Sequence, residues 1–435
     1  MLRALIQTLR NRARGYARDT RGAVVIIAAV LIPVIVGGLG LWVETGYWDH
    51  MQRKVQHAAD MAAQAASVRL RAGDSKAQVT AVATRVARAS GLLAAGTVTV
   101  NIPPLSGPRK GAADAVEVIL NETHPRYFTA VFQGGRVGLA GRAVSVIEGG
   151  STACMLALSP TATSGILVSG STSVTMQGCD LAANTSSATA YDMGNSGAAL
   201  SAGCIYTVGG ARTNANLTLT GCAAPRTQSP AARDPYRAVP EPEVRGTCSN
   251  GKVGKPNVTE VLNPTALHPN GMKFMRFCNG LDLKGSVEMK PGLYIVEGDL
   301  TINGGDASSA NAAAIFGSGV TVFMAPGSKL RLNGNVTINL SAPATGPTSG
   351  ILFFSSRSGL TDSHVINGSS GSVLQGAIYA PVSDIQYSGN SAGANGCTQV
   401  IGSTITMTGN STLKADCGAA GTKSLLANET VRITE

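Results

Sequence analysis

The hydrophobic pattern opens with a run of 21 residues, 23–43, that carries no charge. At about 1.5 Å per residue a helix of that length crosses a hydrocarbon core of roughly 30 Å. The run predicts a membrane span. Directly after it Tyr47, Met51, Val55, Ala58, Ala62 and Ala65 recur at three- and four-residue steps, while Arg53, Lys54, His57 and Asp60 occupy other faces. The helix is therefore expected to continue past the membrane, its stripe packing against its own domain or presenting a face to a partner helix. Gly73 breaks it, and Asp74 is the expected N-cap of a second helix through Val79, Val82 and Val86 that stops at Gly91. Strand-like runs follow at 97–102, 115–120 and 142–147, with a short amphipathic helix over 126–132. Two helices and three strands predict a small α+β domain.

From residue 151 the texture changes to Gly, Ser, Thr, Ala and Asn interleaved with very short β-branched pieces such as GILVSG, NLTLTG and NVTINL. Strands this short cannot hold a sheet alone and must stack on copies of themselves, as a right-handed parallel β-helix (β-solenoid) does. Cys154, Cys179 and Cys204 lie 25 residues apart twice, and Cys397 and Cys417 are 20 apart, as are the Gly-Asn-Ser triplets that begin at Gly389 and Gly409. One coil takes about that many residues, which places equal positions of successive coils roughly 4.8 Å apart. The remaining chain would make on the order of ten coils, about 50 Å of stack. The apolar runs at 317–326 and 350–355 are expected to line the interior. Residues 225–247 differ: Pro225, Pro230, Pro235, Pro240 and Pro242 impose extended backbone, read as a strap across the solenoid with Asp234 and Pro235 docked, or as a linker.

Charge changes the picture at one end only. The formal net charge is +10, but six arginines and one aspartate within residues 1–21 account for half of it. No long basic run exists elsewhere, so nucleic-acid binding is not expected. The arginine-rich flank is the one retained in the cytoplasm, which sends the bulk of the chain out. A cleaved secretory signal would have an apolar core of only about 7 to 15 residues, so a retained anchor is preferred. All eight cysteines then lie on the exported side and suit an oxidising compartment. The expected pairs are Cys397 with Cys417 first, then Cys248 with Cys278, Cys204 with Cys222 and Cys154 with Cys179, although connectivity among eight is not fixed by sequence.

The entry Arg21-Gly22, the apolar span with Pro33, and Glu44, Tyr47, Met51, Gln56, Ala58, Ala59, Asp60, Ala62 and Ala63 beyond it together resemble the N-terminal segment of TadE/TadG-like proteins of bacterial tight-adherence (Tad, or Flp) pilus systems. The match covers about the first 70 residues closely, and the later plan resembles the TadG branch more loosely. The resemblance implies a pseudopilin-like α+β part, a place in the inner (cytoplasmic) membrane, and other Tad/Flp assembly proteins as partners beside membrane lipid. Pilin-type processing after Gly22 would want Glu five residues on, where Ile27 stands. The Asp-x-Ser-x-Ser site of a von Willebrand type A domain is also missing, since Asp306-Ala307-Ser308 runs into Ser309-Ala310.

Catalytic patterns are sparse. His50, His57, His124, His268 and His364 form no HExxH and are expected on the surface. Residues 246–252 copy most of a phosphate loop, but Val253 stands where the magnesium-binding hydroxyl belongs. Asp282, Asp299, Asp306, Asp362 and Asp384 show no repeat. Tyr294, Tyr379 and Tyr387 show no register of the kind a sugar-binding pile of aromatics would need. The expected organisation is a cytoplasmic tail (1–21), a transmembrane helix (22–43), a stalk with a small α+β domain (44–150) and a β-solenoid (151–435). The expected function is a non-enzymatic structural component of pilus assembly without metal or cofactor. The alternative is a surface adhesin, or a glycan-binding or glycan-cleaving module, carried on the anchor.

Overall fold

The computed structural model describes residues 20–255, 258–303, 314–333, 336–358, 362–368, 372–389, 391–392, 397–414 and 418–435. The chain is mostly β with one long N-terminal helix. It divides into two compact units, one reaching to Ile147 and including Val431–Glu435, the other Glu148–Thr430. The last five residues, expected with the repeats, thus cluster with the first unit.

Helix α1 (Thr20–Arg71) is continuous over 52 residues with Pro33 inside it. Its outer half is long and apolar enough to cross a membrane. Helix α2 (Lys76–Ala89) is capped by Ser75, whose hydroxyl accepts from the Gln78 amide while the Gln78 side chain returns to the Ser75 N–H. This corrects the expected cap at Asp74, whose carboxylate is instead 2.5 Å from Arg69. A Ser with Gln three residues on satisfies two helix-end donors reciprocally, which a lone Asp cannot do. Strands β1 (Thr97–Asn101), β2 (Ala115–Pro125) and β3 (Arg136–Ala157) follow, and β2 pairs antiparallel with both neighbours. The sheet's helix-facing side carries Val116, Val118, Leu120, Leu139 and Ala143, packed against Val55, Ala58, Ala59, Ala62, Ala63 and Ala66 of α1 and Val79, Ala83 and Ala87 of α2. Alternation along β2 therefore sends every second side chain into this core. The helix expected over 126–132 is reduced to one 3-10 turn, Thr129–Val131.

In the second unit the described strands pair mostly in parallel, an exception being the antiparallel pair of Ala266–Leu267 with Lys273–Phe277. One ladder runs from Lys273–Phe277 through Gly292–Val296, Val320–Met324, Ile351–Ser355, Val373–Ala380 and Thr398–Gly402 to the end of β3, then Asp180–Ala183 and Ile205–Thr207. A second runs from Lys252–Val253 to Ala211–Arg212. Further parallel pairs join Thr259–Leu262 through to Val373–Ala380, and Ser391–Ala392 through to Leu217–Leu219. Ser391 lies opposite Ser411, one 20-residue repeat on. Leu281, Leu300 and Leu330 of the second ladder, Val287 and Ile338 of the third, and Val322 and Phe353 of the first meet in one apolar cluster.

The stacking order is not the chain order. Val400 pairs with Met155 and Ile405 with Ile166, so the last repeat sits beside the first. The chain enters mid-ladder, climbs to Ile205–Thr207 at one edge, and resumes at the opposite edge. The proline-rich segment makes this return over the outer face of the first ladder, where Ala232, Tyr236 and Val239 pack on Ile351, Phe354 and Tyr379. Ala232 N–H and C=O both bond the Asn184 side chain at 2.9 Å, and the Glu243 carbonyl oxygen lies 3.0 Å from His268 Nε2. Eight inter-strand steps of about 4.8 Å need roughly 38 Å, within reach of the extended chain between Arg226, bridged to Tyr206, and Cys248, bridged to Arg276. Val320–Met324 and Ile351–Ser355 are buried at every position because one face meets the interior and the other this segment. The second, outer contact goes beyond the interior position expected for these runs.

Candidate functional site

The residues on which the resemblance rests fasten α1 to the sheet. Glu44 is buried, its carboxylate accepting from the backbone N–H of Tyr127 at 2.7 Å and of Thr129 at 2.6 Å, and from the Thr129 hydroxyl at 3.1 Å. It closes the 3-10 turn as an N-capping side chain would. One helical turn on, the Tyr47 hydroxyl lies 3.1 Å from His124 Nδ1, and His124 Nε2 is 2.6 Å from Glu122, which accepts from the Leu93 N–H.

Two further turns carry glutamines. Gln52 donates to the Ala140 carbonyl at 2.7 Å. Gln56 donates to the Arg142 carbonyl at 2.8 Å and accepts from the Arg142 N–H at 3.2 Å. Four residues of helix rise about 6 Å and two of strand about 6.8 Å, so glutamines at i and i+4 match alternate residues of a strand. The edge of β3 is thereby covered by side-chain amides, and at Val144 by backbone bonds to Thr434 and Glu435. Asp60 holds the Gln56 amide at 2.8 Å. The alanines at 58, 59, 62 and 63 permit the approach: a Cβ on Gly141 would come within 2.8 Å of the Val55 carbonyl oxygen.

The stripe expected as a partner-helix face is therefore taken up at home. Val55, Ala58 and Ala62 are buried in the unit's own core with Met51 against it, Tyr47 is tied to His124, and Ala65 is half-buried. The outward face carries Arg53, His57, Met61, Gln64 and Val68.

On the opposite face of the sheet sits a cluster the sequence reading missed. Glu117 is fully buried, accepting from Asn101 Nδ2, the Leu105 N–H, the Ser106 hydroxyl and Arg142 Nε, all within 3.1 Å. Arg142 also binds Glu435 at 2.6 Å. Burial works against the charge, but these donors outweigh it and bring the carboxyl down to about 2. The signal was a lone Glu between Val116 and Val118 in a strand run.

The other expected site residues disperse. His124, His268 and His364 are buried rather than on the surface, each spending ring nitrogens on local partners. His364 accepts from the Leu330 N–H and bonds Ser355, and burial lowers its pKa to about 4. His50 and His57 are exposed. The residues resembling a phosphate loop are cross-linked through Cys248 to Cys278, and Lys252 begins a strand. Asp282 pairs with Lys284, Asp299 with Arg331, and Asp384 accepts from Thr404; Asp306 lies outside the described residues. Among the described residues no group of three or more His, Cys, Asp or Glu is placed to hold a metal ion.

Disulfides join Cys154 to Cys179, Cys204 to Cys222 and Cys248 to Cys278. Cys397 is also disulfide-bonded, and Cys417 lies outside the described residues.

An aromatic pile exists after all. Phe323, Phe354 and Tyr379 stand in register on successive strands with ring centroids 5.5 and 5.3 Å apart, and Tyr236 adds a fourth ring 5.5 Å from Tyr379. Arg357 lies over Phe354 and Tyr379 and donates to the carbonyls of Tyr236 and Val239, while Tyr379 donates to Asp234. All four rings are buried, as are Tyr294 and Tyr387, so none of these faces sugar. Its register is carried by Phe323 and Phe354, which the spacing of the tyrosines alone does not reveal. No protein family, curated protein or solved structure matches the chain.

Proposed function

We propose that this chain is a membrane-anchored, non-enzymatic component of a Tad/Flp-type pilus assembly machine, of the TadG-like kind. The arginine-rich start stays in the cytoplasm, α1 crosses the inner membrane, the α+β unit is a pseudopilin-like collar, and the ladders are faces of a parallel β-solenoid exposed outside the cytoplasm. One observation carries the reading: Glu44, Tyr47, Gln56, Asp60 and the alanines that resemble the TadE/TadG pattern are the residues that lock the helix to its sheet. A sequence pattern that also does one mechanical job is better support than spacing alone. The solenoid reading is supported by strands of all ladders sharing a single interior cluster. The adhesin or glycan-module alternative gains no specific support, since its best aromatic surface is buried under residues 232–239.

Photoreactive residues placed at the exposed positions Arg53, His57, Met61 and Gln64 in the living bacterium test the assembly role. Crosslinks to other pilus-assembly proteins are expected. Recovery of only lipid and self-contacts, with piliation unchanged on deletion of the gene, would overturn it.

A further inference from the structure

We propose that the turn over residues 127–132 is a second membrane contact, an aromatic wedge seated at the headgroup–acyl boundary beside α1. The inference rests on the reading that α1 spans a bilayer. The turn puts its apolar side chains outward: Phe132 is 80 % exposed, Val131 84 %, Tyr127 59 % and Phe128 48 %. Left in water, such a patch forfeits the free energy that burying its apolar surface would release.

Its depth is fixed by contacts within the same unit. Phe128 lies against Gly40, where an added Cβ would come within 2.5 Å of the ring, and Glu44 holds the turn's backbone. Gly40 belongs to the uncharged run whose neighbours Leu39, Trp42 and Val43 are themselves exposed. A turn fastened at that level meets whatever solvent surrounds that level of the helix. The same solvent must serve both.

The backbone is prepared for it. Tyr127 and Thr129 N–H groups go to Glu44, and those of Val131, Phe132 and Gln133 go to carbonyls within the turn. A segment entering the interface must satisfy its donors internally. The aromatic-rich content suits the interfacial belt, and Arg126 stacks over Trp48 at 5.5 Å, one turn further from the apolar run. These features favour lipid over a protein partner.

The test uses the full chain in vesicles of phosphatidylcholine and phosphatidylglycerol whose acyl chains are brominated at shallow or deep positions. With Trp42→Phe and Trp48→Phe removing the two native tryptophans, a single Trp is returned as Phe132→Trp or, as a mid-span reference, Ile32→Trp. Expected is loss of most Phe132→Trp emission with shallow bromines and less with deep ones, the order reversing for Ile32→Trp. Quenching at Ile32→Trp without quenching at Phe132→Trp overturns the wedge and leaves the anchor standing. No quenching at either position overturns both. A nitroxide at Val131→Cys gives an independent reading: greater accessibility to oxygen than to a water-soluble nickel complex is expected, and the opposite ratio sinks the proposal.

Discussion

The two halves of α1 are one unbroken helix with opposite side-chain logic. Toward its start Val25 and Ile26 are 67 % and 68 % exposed, and the half is built from large aliphatic residues. Beyond Glu44, the buried face uses alanine: positions 58, 59, 62, 63 and 66 have no exposed surface. Hydrophobicity alone would bury the first half and expose the second. Size decides instead, because a helix laid on a sheet gains by close approach and small side chains allow it, whereas a lipid-facing helix gains by apolar bulk.

The largest test of that contrast charges the aliphatic half. Val30→Lys with Ile35→Lys costs roughly 5–7 kcal/mol of insertion and should move the protein from the carbonate-resistant to the extractable fraction. Next comes the sheet against which the alanine half packs. Glu117 has its folded pKa lowered to about 2 from 4.5, so its contribution to stability is complete above the ordinary carboxylate range and is lost as pH falls from about 4.5 through about 2. Glu117→Gln should cost about 3 kcal/mol at neutral pH and flatten this part of the acid dependence, read by thermal melts in detergent at neutral and acid pH. A variant as acid-sensitive as the parent would show that the charge lies elsewhere. The smallest effect is steric: Ala62→Leu should destabilise by about 1–3 kcal/mol through overpacking, while Ile35→Leu on the exposed apolar half leaves the melt unchanged. Equal effects at both positions would erase the distinction between the halves.

Much of this was legible in the residues. Uncharged length gave the apolar helix, three- and four-residue steps gave its continuation, and 20- to 25-residue spacing gave the stacked short strands, while the cysteine connectivity was left open by the sequence. Pro235 and its neighbours marked an extended segment before its surroundings were known. The candidate site was readable only in part. Glu44, Tyr47 and Gln56 stood out, but their partners lie 77 to 86 residues away in Tyr127, Thr129, His124 and Arg142.

What the sequence determined by itself is local or periodic: a helix, its apolar half, strands one repeat long, and cysteines placed one repeat apart. What the tertiary structure decided is order and enclosure. Val400 beside Met155, the return of residues 232–243 across the ladder, and the burial of Phe354, Tyr379 and His364 all follow from which strand edge met which. Backbone hydrogen bonds between parallel strands are nearly indifferent to side chains, so any repeat edge could in principle accept any other. The permuted stack emerges only when apolar faces, the docked proline-rich segment and the disulfides are satisfied together.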